Sequence, residues 1–197
     1  NDEVRKTQKM INVFIGIVSV IGAMAHFFFA YKSSISVAQQ RVFHTFLFIL
    51  VFFLYELKNQ IDKKKNIGSV VTLLLTAIVL AVGTYYVINM SSPIMVNRAM
   101  TGATLPEIIM GVFLILIIME LARRKVGAAL TVLSAIFILY ALFGKAMPAM
   151  IKHKGYSITA ITEYLAWTTE GIFGTCIGAS VTFVCLYKLR DMSRQFQ

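Results

Sequence analysis

The stretch Thr104–Gly144 reads T-L-P-E-I-I-M-G-V-F-L-I-L-I-I-M-E-L-A-R-R-K-V-G-A-A-L-T-V-L-S-A-I-F-I-L-Y-A-L-F-G. Two apolar runs flank a compact Glu120-x-x-Arg123-Arg124-Lys125 knot. The first, Pro106 to Ala122, carries its charges, Glu107 and Glu120, near its ends, and the second, Val126 to Gly144, carries none. Thr104 and Glu107 have the spacing of a capping box. Pro106 falls in the first turn, where its missing N–H costs no hydrogen bond. The pattern reads as a membrane hairpin turned at a basic knot.

Composition extends that reading outward. Of 197 residues, 58% are hydrophobic and 14% charged, against roughly 25% charged in a soluble domain. Mean hydropathy is +0.76. Several apolar runs approach the roughly 20 residues a bilayer-crossing helix needs. A membrane β-barrel would show short alternating segments instead. The net charge of +10 comes from Lys and Arg placed between apolar runs, where they act as topology signals and not as a nucleic-acid face.

Before the hairpin, residues Asn1 to Lys9 are polar and basic, and Met10 to Tyr31 is a first apolar run. Ser36-Val37-Ala38 resembles a signal-peptide cleavage site, but the run is long for an h-region and Lys32 intervenes, so an uncleaved helix is expected. Val42 to Leu57 is a short, Phe-rich second run, with Glu56 expected at the interface beside Lys58. Lys63-Lys64-Lys65 marks a solvated loop, Ser69 to Ile88 a third run, and Ser91-Ser92-Pro93 a turn.

After the hairpin, Ser157 is placed to cap a helix starting at Ile158. Ile158, Ile161 and Leu165 share one face, and Glu163, Trp167 and Glu170 the other. Too polar to span, it is expected to lie at the membrane surface with Tyr164 and Trp167 among the headgroups. Glu170-Gly171-Ile172-Phe173-Gly174 should break it, either as a plain corner or as a docking edge. Thr175 to Tyr187 is a sixth apolar run of only 13 residues, followed by the basic Lys188-Leu189-Arg190 tail.

The expected fold is an all-α integral membrane protein with about five transmembrane helices, an outer interfacial amphipathic helix and a short sixth apolar helix. Its parts are 1–9, a cytoplasmic N-terminus; 10–144, a five-helix scaffold; 145–174, an outer loop with the interfacial helix; and 175–197, the short helix and basic tail. Lys and Arg total 13 in the segments inside, if the N-terminus is cytoplasmic, and 6 in those outside. That bias puts both termini inside.

No nucleophile–base pair, phosphate loop or metal cluster is visible, and no enzyme activity or cofactor is expected. Cys176 and Cys185 read as small buried residues. His26 and His44 read as hydrogen-bonded packing or interface residues. Glu120 can pair with Arg123 or Arg124 at i,i+3 and i,i+4 and anchor the helix end, or meet a partner. Candidate structural or interdomain contacts are Glu120, Arg123, Arg124, His153, Glu170, Gly171 and Gly174.

Arg98, Glu120-Leu121-Ala122-Arg123-Arg124-Lys125-Val126-Gly127, Tyr140-Ala141-Leu142-Phe143-Gly144, Pro148, His153-Lys154-Gly155-Tyr156-Ser157 and Thr169-Glu170-Gly171-Ile172-Phe173-Gly174 occur in an ordered series. Together they resemble the N-terminal, small region of the fused permease of tripartite ATP-independent periplasmic (TRAP) transporters of the TAXI type. The likeness covers Arg98 to Val184 and is weak over the first two runs. It implies ion-driven import of organic acids, often dicarboxylates, delivered by a periplasmic TAXI-type solute-binding protein, in a bacterial or archaeal inner membrane. It implies a scaffold role here, with the substrate and coupling-ion (sodium or proton) sites on a large permease domain or subunit. Residues 175–197 would begin that domain, and no substrate ligand transfers to this chain. Membrane lipid is the other expected partner, and nucleic acid is not one. The competing reading is a membrane structural or interaction protein unrelated to transport. A lipid-acting membrane enzyme is a further reading that no acid/base or metal set supports.

Overall fold

The computed structural model describes residues 2–31, 35–62, 66–90, 97–98 and 100–181. Lys32, the Lys63-Lys64-Lys65 loop, the Ser91-Ser92-Pro93 turn, Cys185 and the basic tail from Lys188 lie outside the described residues. The regular structure of the described residues is helical: α1 Asp2–Tyr31, α2 Val37–Asp62, α3 Asn66–Asn89, α4 Leu105–Lys125, α5 Ala128–Leu142 and α6 Ile158–Trp167. A 3-10 turn covers Gly144–Ala146, and residues 175–181 are helical. Among the described residues four helices, α1 to α4, are long and apolar enough to cross a membrane. The chain therefore has the build of a multi-pass membrane protein.

Two of the apolar runs differ from their sequence reading. The second is not short. Helix α2 has 26 residues, because Arg41, Glu56 and Lys58 lie within it and do not end it. The supposed cleavage site is its start: Ser36 Oγ accepts the Gln39 N–H at 3.2 Å, and the Gln39 amide oxygen accepts the Ser36 N–H at 3.3 Å. That reciprocal pair is a capping box. The fifth run gives a helix of 15 residues, about 22 Å at 1.5 Å per residue, against a hydrocarbon core of about 30 Å.

The chain divides into two compact units, Asn1–Ser92 with Thr175–Gln197, and Pro93–Gly174. In the first, α2 packs on both α1 and α3. Val42, Phe46, Ile49, Phe53 and Leu57 recur every third or fourth position along α2 and are buried, as are Val79, Val82 and Tyr86 of α3. Glycines allow close approach: Gly83 lies against the Phe46 ring and Gly22 against the Leu47 side chain. Small residues at helix contacts are how membrane helices gain packing contact. Thr72 donates to the Gln60 amide oxygen at 2.9 Å, and Gln60 donates to Glu56 at 3.0 Å. Glu56 thus serves the α2–α3 contact. It is not paired with Lys58, whose ammonium lies 5.6 Å from the Tyr55 ring centre. Val13, Phe14, Ile17, Met24 and Phe28 of α1 are exposed, as expected of a helix solvated by hydrocarbon.

The second unit is the α4–α5 hairpin with α6 packed on α4. The turn needs Gly127: its φ of +120° is unfavourable for residues with a Cβ. Its N–H, with that of Val126, returns to the Ala122 carbonyl at 3.1 and 2.8 Å.

Candidate functional site

The second unit is organised around Glu107, in the first turn of α4. One carboxylate oxygen accepts the Thr104 N–H at 2.7 Å and the Thr104 hydroxyl at 3.0 Å. This is the capping interaction the sequence spacing suggested. The other oxygen accepts from Arg98 Nε at 3.0 Å and also from Arg98 Nη2. Both residues are under a tenth exposed. A buried charge without its partner costs several kcal/mol, and the forked guanidinium contact offsets that cost. The Arg98 guanidinium also lies 4.1 Å from the centre of the Trp167 ring, a cation–π contact.

Trp167 completes the joint. Its indole N–H donates to the Glu107 backbone carbonyl at 2.8 Å, and the residue is 2% exposed. This corrects the expectation that Trp167 sits among headgroups: its ring is buried beneath Arg98, while Tyr164, one turn back, is exposed. The buried face of α6 is Thr162, Ala166 and Trp167, and it seats on Gly111 of α4. A Cβ there would lie 3.2 Å from Ala166 Cβ and from Trp167 Nε1, and would collide with the Thr162 methyl. Glu163 accepts the N–H of Ala103, beside Gly102 at φ +77°, so α6 also holds the loop that leads into α4. Ser157 caps α6 as expected, accepting the Ala160 N–H at 3.1 Å.

The other expected contacts lie in the same unit. Glu120 pairs with Arg123 Nε at 2.7 Å and with Arg124 Nε at 2.6 Å. The Arg124 side chain is largely covered, at 13% exposed, and that of Arg123 is 54% exposed. His153 presses its imidazole onto Gly144. Its Nδ1 accepts the Gly155 N–H at 3.0 Å, so its Nε2–H donates to the Tyr140 carbonyl, also at 3.0 Å. The α6 helix ends at Trp167 with Thr168 extended, earlier than the glycine break expected. Gly171 then folds back onto the Leu165 and Tyr164 backbone, Ile172 N–H returns to the Leu165 carbonyl at 2.8 Å, and Gly174 N–H to the Gly171 carbonyl at 3.0 Å. The space at Gly171 is filled by the chain itself. Glu170, by contrast, is exposed.

Between α5 and α6 runs an open apolar cleft of about 510 Å³, lined among others by Phe137, Ala141, Tyr156, Ile161 and Leu165. Ile161 and Leu165, which share one face of α6, line this cleft. In the first unit, His26 and His44 meet. Cys176 is exposed, contrary to its expected burial. Among the described residues no group of three His, Cys, Asp or Glu could hold a metal ion.

No protein-family model, curated protein or solved structure matches this chain.

Sequence reasoning misses the partnership of Arg98 with Glu107. It assigns Glu107 wholly to its cap and leaves Arg98 in a loop. The signal that could have found the pair is the surplus charge: an acid inside an apolar helix needs a cation, and Arg98 is nine positions away.

Proposed function

We propose that this chain is the small membrane region of a TRAP-type permease of the TAXI type, a scaffold for organic-acid import with no substrate site of its own. One observation carries the reading. Residues on which the resemblance rests build internal joints: Arg98, Gly144, His153 and Gly171 each hold one part of Pro93–Gly174 against another. Both oxygens of Glu107 are engaged by the chain's own donors, so the central polar cluster braces and does not receive. That suits a part which stays rigid while another moves.

In this reading both termini are cytoplasmic, in the inner membrane of a bacterium or archaeon. Helices α1 to α4 cross in alternation. Helix α5 is a fifth crossing whose shortness is met by local thinning of the bilayer, α6 lies on the outer side, and the segment from Thr175 starts a sixth. The large permease domain carries the substrate and the sodium or proton sites, and a periplasmic TAXI-type protein delivers the organic acid. The scaffold itself performs no chemical step.

Reconstitution tests this. The purified chain is placed in liposomes with a sodium or proton gradient and a loaded binding protein, with and without the large domain. Uptake is expected only with the large domain. Gradient-dependent uptake by the chain alone, or uptake by the large domain that is indifferent to this chain, refutes the proposal.

A further inference from the structure

His26 of α1 and His44 of α2 form a continuous chain of hydrogen bonds with Ser180. His26 Nδ1 lies 2.7 Å from the Gly22 carbonyl, His26 Nε2 lies 2.8 Å from His44 Nδ1, and His44 Nε2 lies 3.0 Å from Ser180 Oγ. Their chemistry fixes where the hydrogens are. A carbonyl oxygen only accepts, so His26 Nδ1 bears a hydrogen. A neutral imidazole has one N–H, so His26 Nε2 accepts and His44 Nδ1 donates. By the same step His44 Nε2 accepts and the Ser180 hydroxyl donates. The neutral chain has a single sense, from Ser180 to Gly22.

The surroundings are aromatic. His44 is 4% exposed. The Phe48 ring centre is 4.6 Å from that of His44, and the Phe43 ring centre is 5.6 Å from that of His26. Ionisable groups held in a membrane span are expensive, which makes such a pair a candidate functional site. Among the described residues, few charged or titratable groups lie nearby. Arg41 stands one turn before His44, with its guanidinium packed against Gly178. Cys176 is exposed one turn before Ser180. On α3, Tyr86 packs against Phe46.

We propose that His26, His44 and Ser180 form a proton-binding site that takes up one proton and shares it between the two imidazoles. The first proton binds His44 Nε2. Ser180 Oγ then accepts instead of donating, and its hydrogen turns to the Cys176 carbonyl one turn back, as Thr45, Thr76 and Ser134 turn theirs to carbonyls four residues earlier. One hydroxyl rotates and no helix moves. The second proton has no such place. It would set N–H against N–H across the 2.8 Å His26–His44 contact, between two cations with Arg41 nearby, so it opens α1 from α2. The site does not depend on the transport reading.

The test is nitrogen NMR of the full chain, labelled with ¹⁵N-histidine, in lipid bilayers between about pH 8 and pH 4, a range spanning the ordinary histidine transition. His26→Asn, His44→Asn and His153→Asn assign the signals. The expected result is His26 as the Nδ1–H tautomer, with a scalar coupling between His26 Nε2 and His44 Nδ1. That coupling survives uptake of the first proton and vanishes with the second. Ser180→Ala should keep the coupling and change the pH at which the pair is first protonated. A His26 Nε2–H tautomer, no coupling in a fully helical wild-type protein, or two imidazoles titrating independently overturns the proposal. The wild-type spectrum is decisive by itself, so the test survives a variant that fails to fold.

Discussion

The indole N–H of Trp167 donates to the backbone carbonyl of Glu107 across sixty positions of sequence, at 2.8 Å. The same glutamate's carboxylate closes the start of α4 and holds Arg98. One residue therefore fixes a helix end, the segment that precedes it and a second helix. The stability of the second unit should be most sensitive there.

Glu107→Gln leaves the Arg98 guanidinium buried beside a neutral amide. The expected loss is about 3–5 kcal/mol, the range for breaking one side of a buried pair. Adding Arg98→Met to it should recover part of that loss, since the stranded charge is gone. Unfolding in mixed micelles of the single and double variants measures the coupling, and strict additivity would count against the pair.

Two glycines should respond oppositely. Gly111→Ala drives a methyl into Thr162, which is 1% exposed and has no room to retreat. Overpacking of this kind costs about 1–3 kcal/mol. Gly16→Ala meets nothing within 4 Å, so it should be neutral or stabilise α1 by up to about 1 kcal/mol. Thermal denaturation of each against wild type gives the comparison.

What is legible in the sequence is local. The α4 cap and the Glu120 pairs are separated by three or four positions, and helix geometry alone brings such residues together. The Ser157 cap is of the same kind. Trp167 misleads because its helical face carries Glu163 and Glu170, which resembles an outward face. Glu163 in fact turns to the Ala103 N–H, and Arg98 comes from outside the helix to cover the ring. Helix α2 looks short in sequence because Arg41, Glu56 and Lys58 resemble ends, whereas Glu56 is absorbed by Gln60. The His26–His44 contact is within reach of sequence reasoning. Both residues stand about equally far from the turn near Ser36, and antiparallel neighbours bring such positions side by side.

The His153 seat should govern the ordering of the loop between α5 and α6. His153→Ala removes its bonds to the Tyr140 carbonyl and the Gly155 N–H, each worth about 1 kcal/mol. Gly144→Ala should displace the imidazole to the same effect. Limited proteolysis is expected to cut between 145 and 157 faster in both variants, while the α4–α5 hairpin stays intact.

The basic knot is asymmetric. Arg124 is covered and Arg123 is open, and open pairs are screened. Arg124→Ala should lower the unfolding midpoint, and Arg123→Ala should leave it unchanged within error. Equal losses would mean that exposure does not separate the two contacts.

Orientation is checked by single-cysteine labelling in a Cys-free background. Met150→Cys, at a site 98% exposed, should react with an impermeant reagent from outside. Lys64→Cys should react only after permeabilisation. Labelling of both from the same side overturns the arrangement with both termini inside.

The chain contains one tryptophan, and it is the one sealed under Arg98. Its emission is therefore a built-in optical probe of Pro93–Gly174, silent about Asn1–Ser92. Circular dichroism, by contrast, sees helices in both. Following the two signals through one denaturation would reveal whether the halves melt as a single body or in succession, with no dye or label attached.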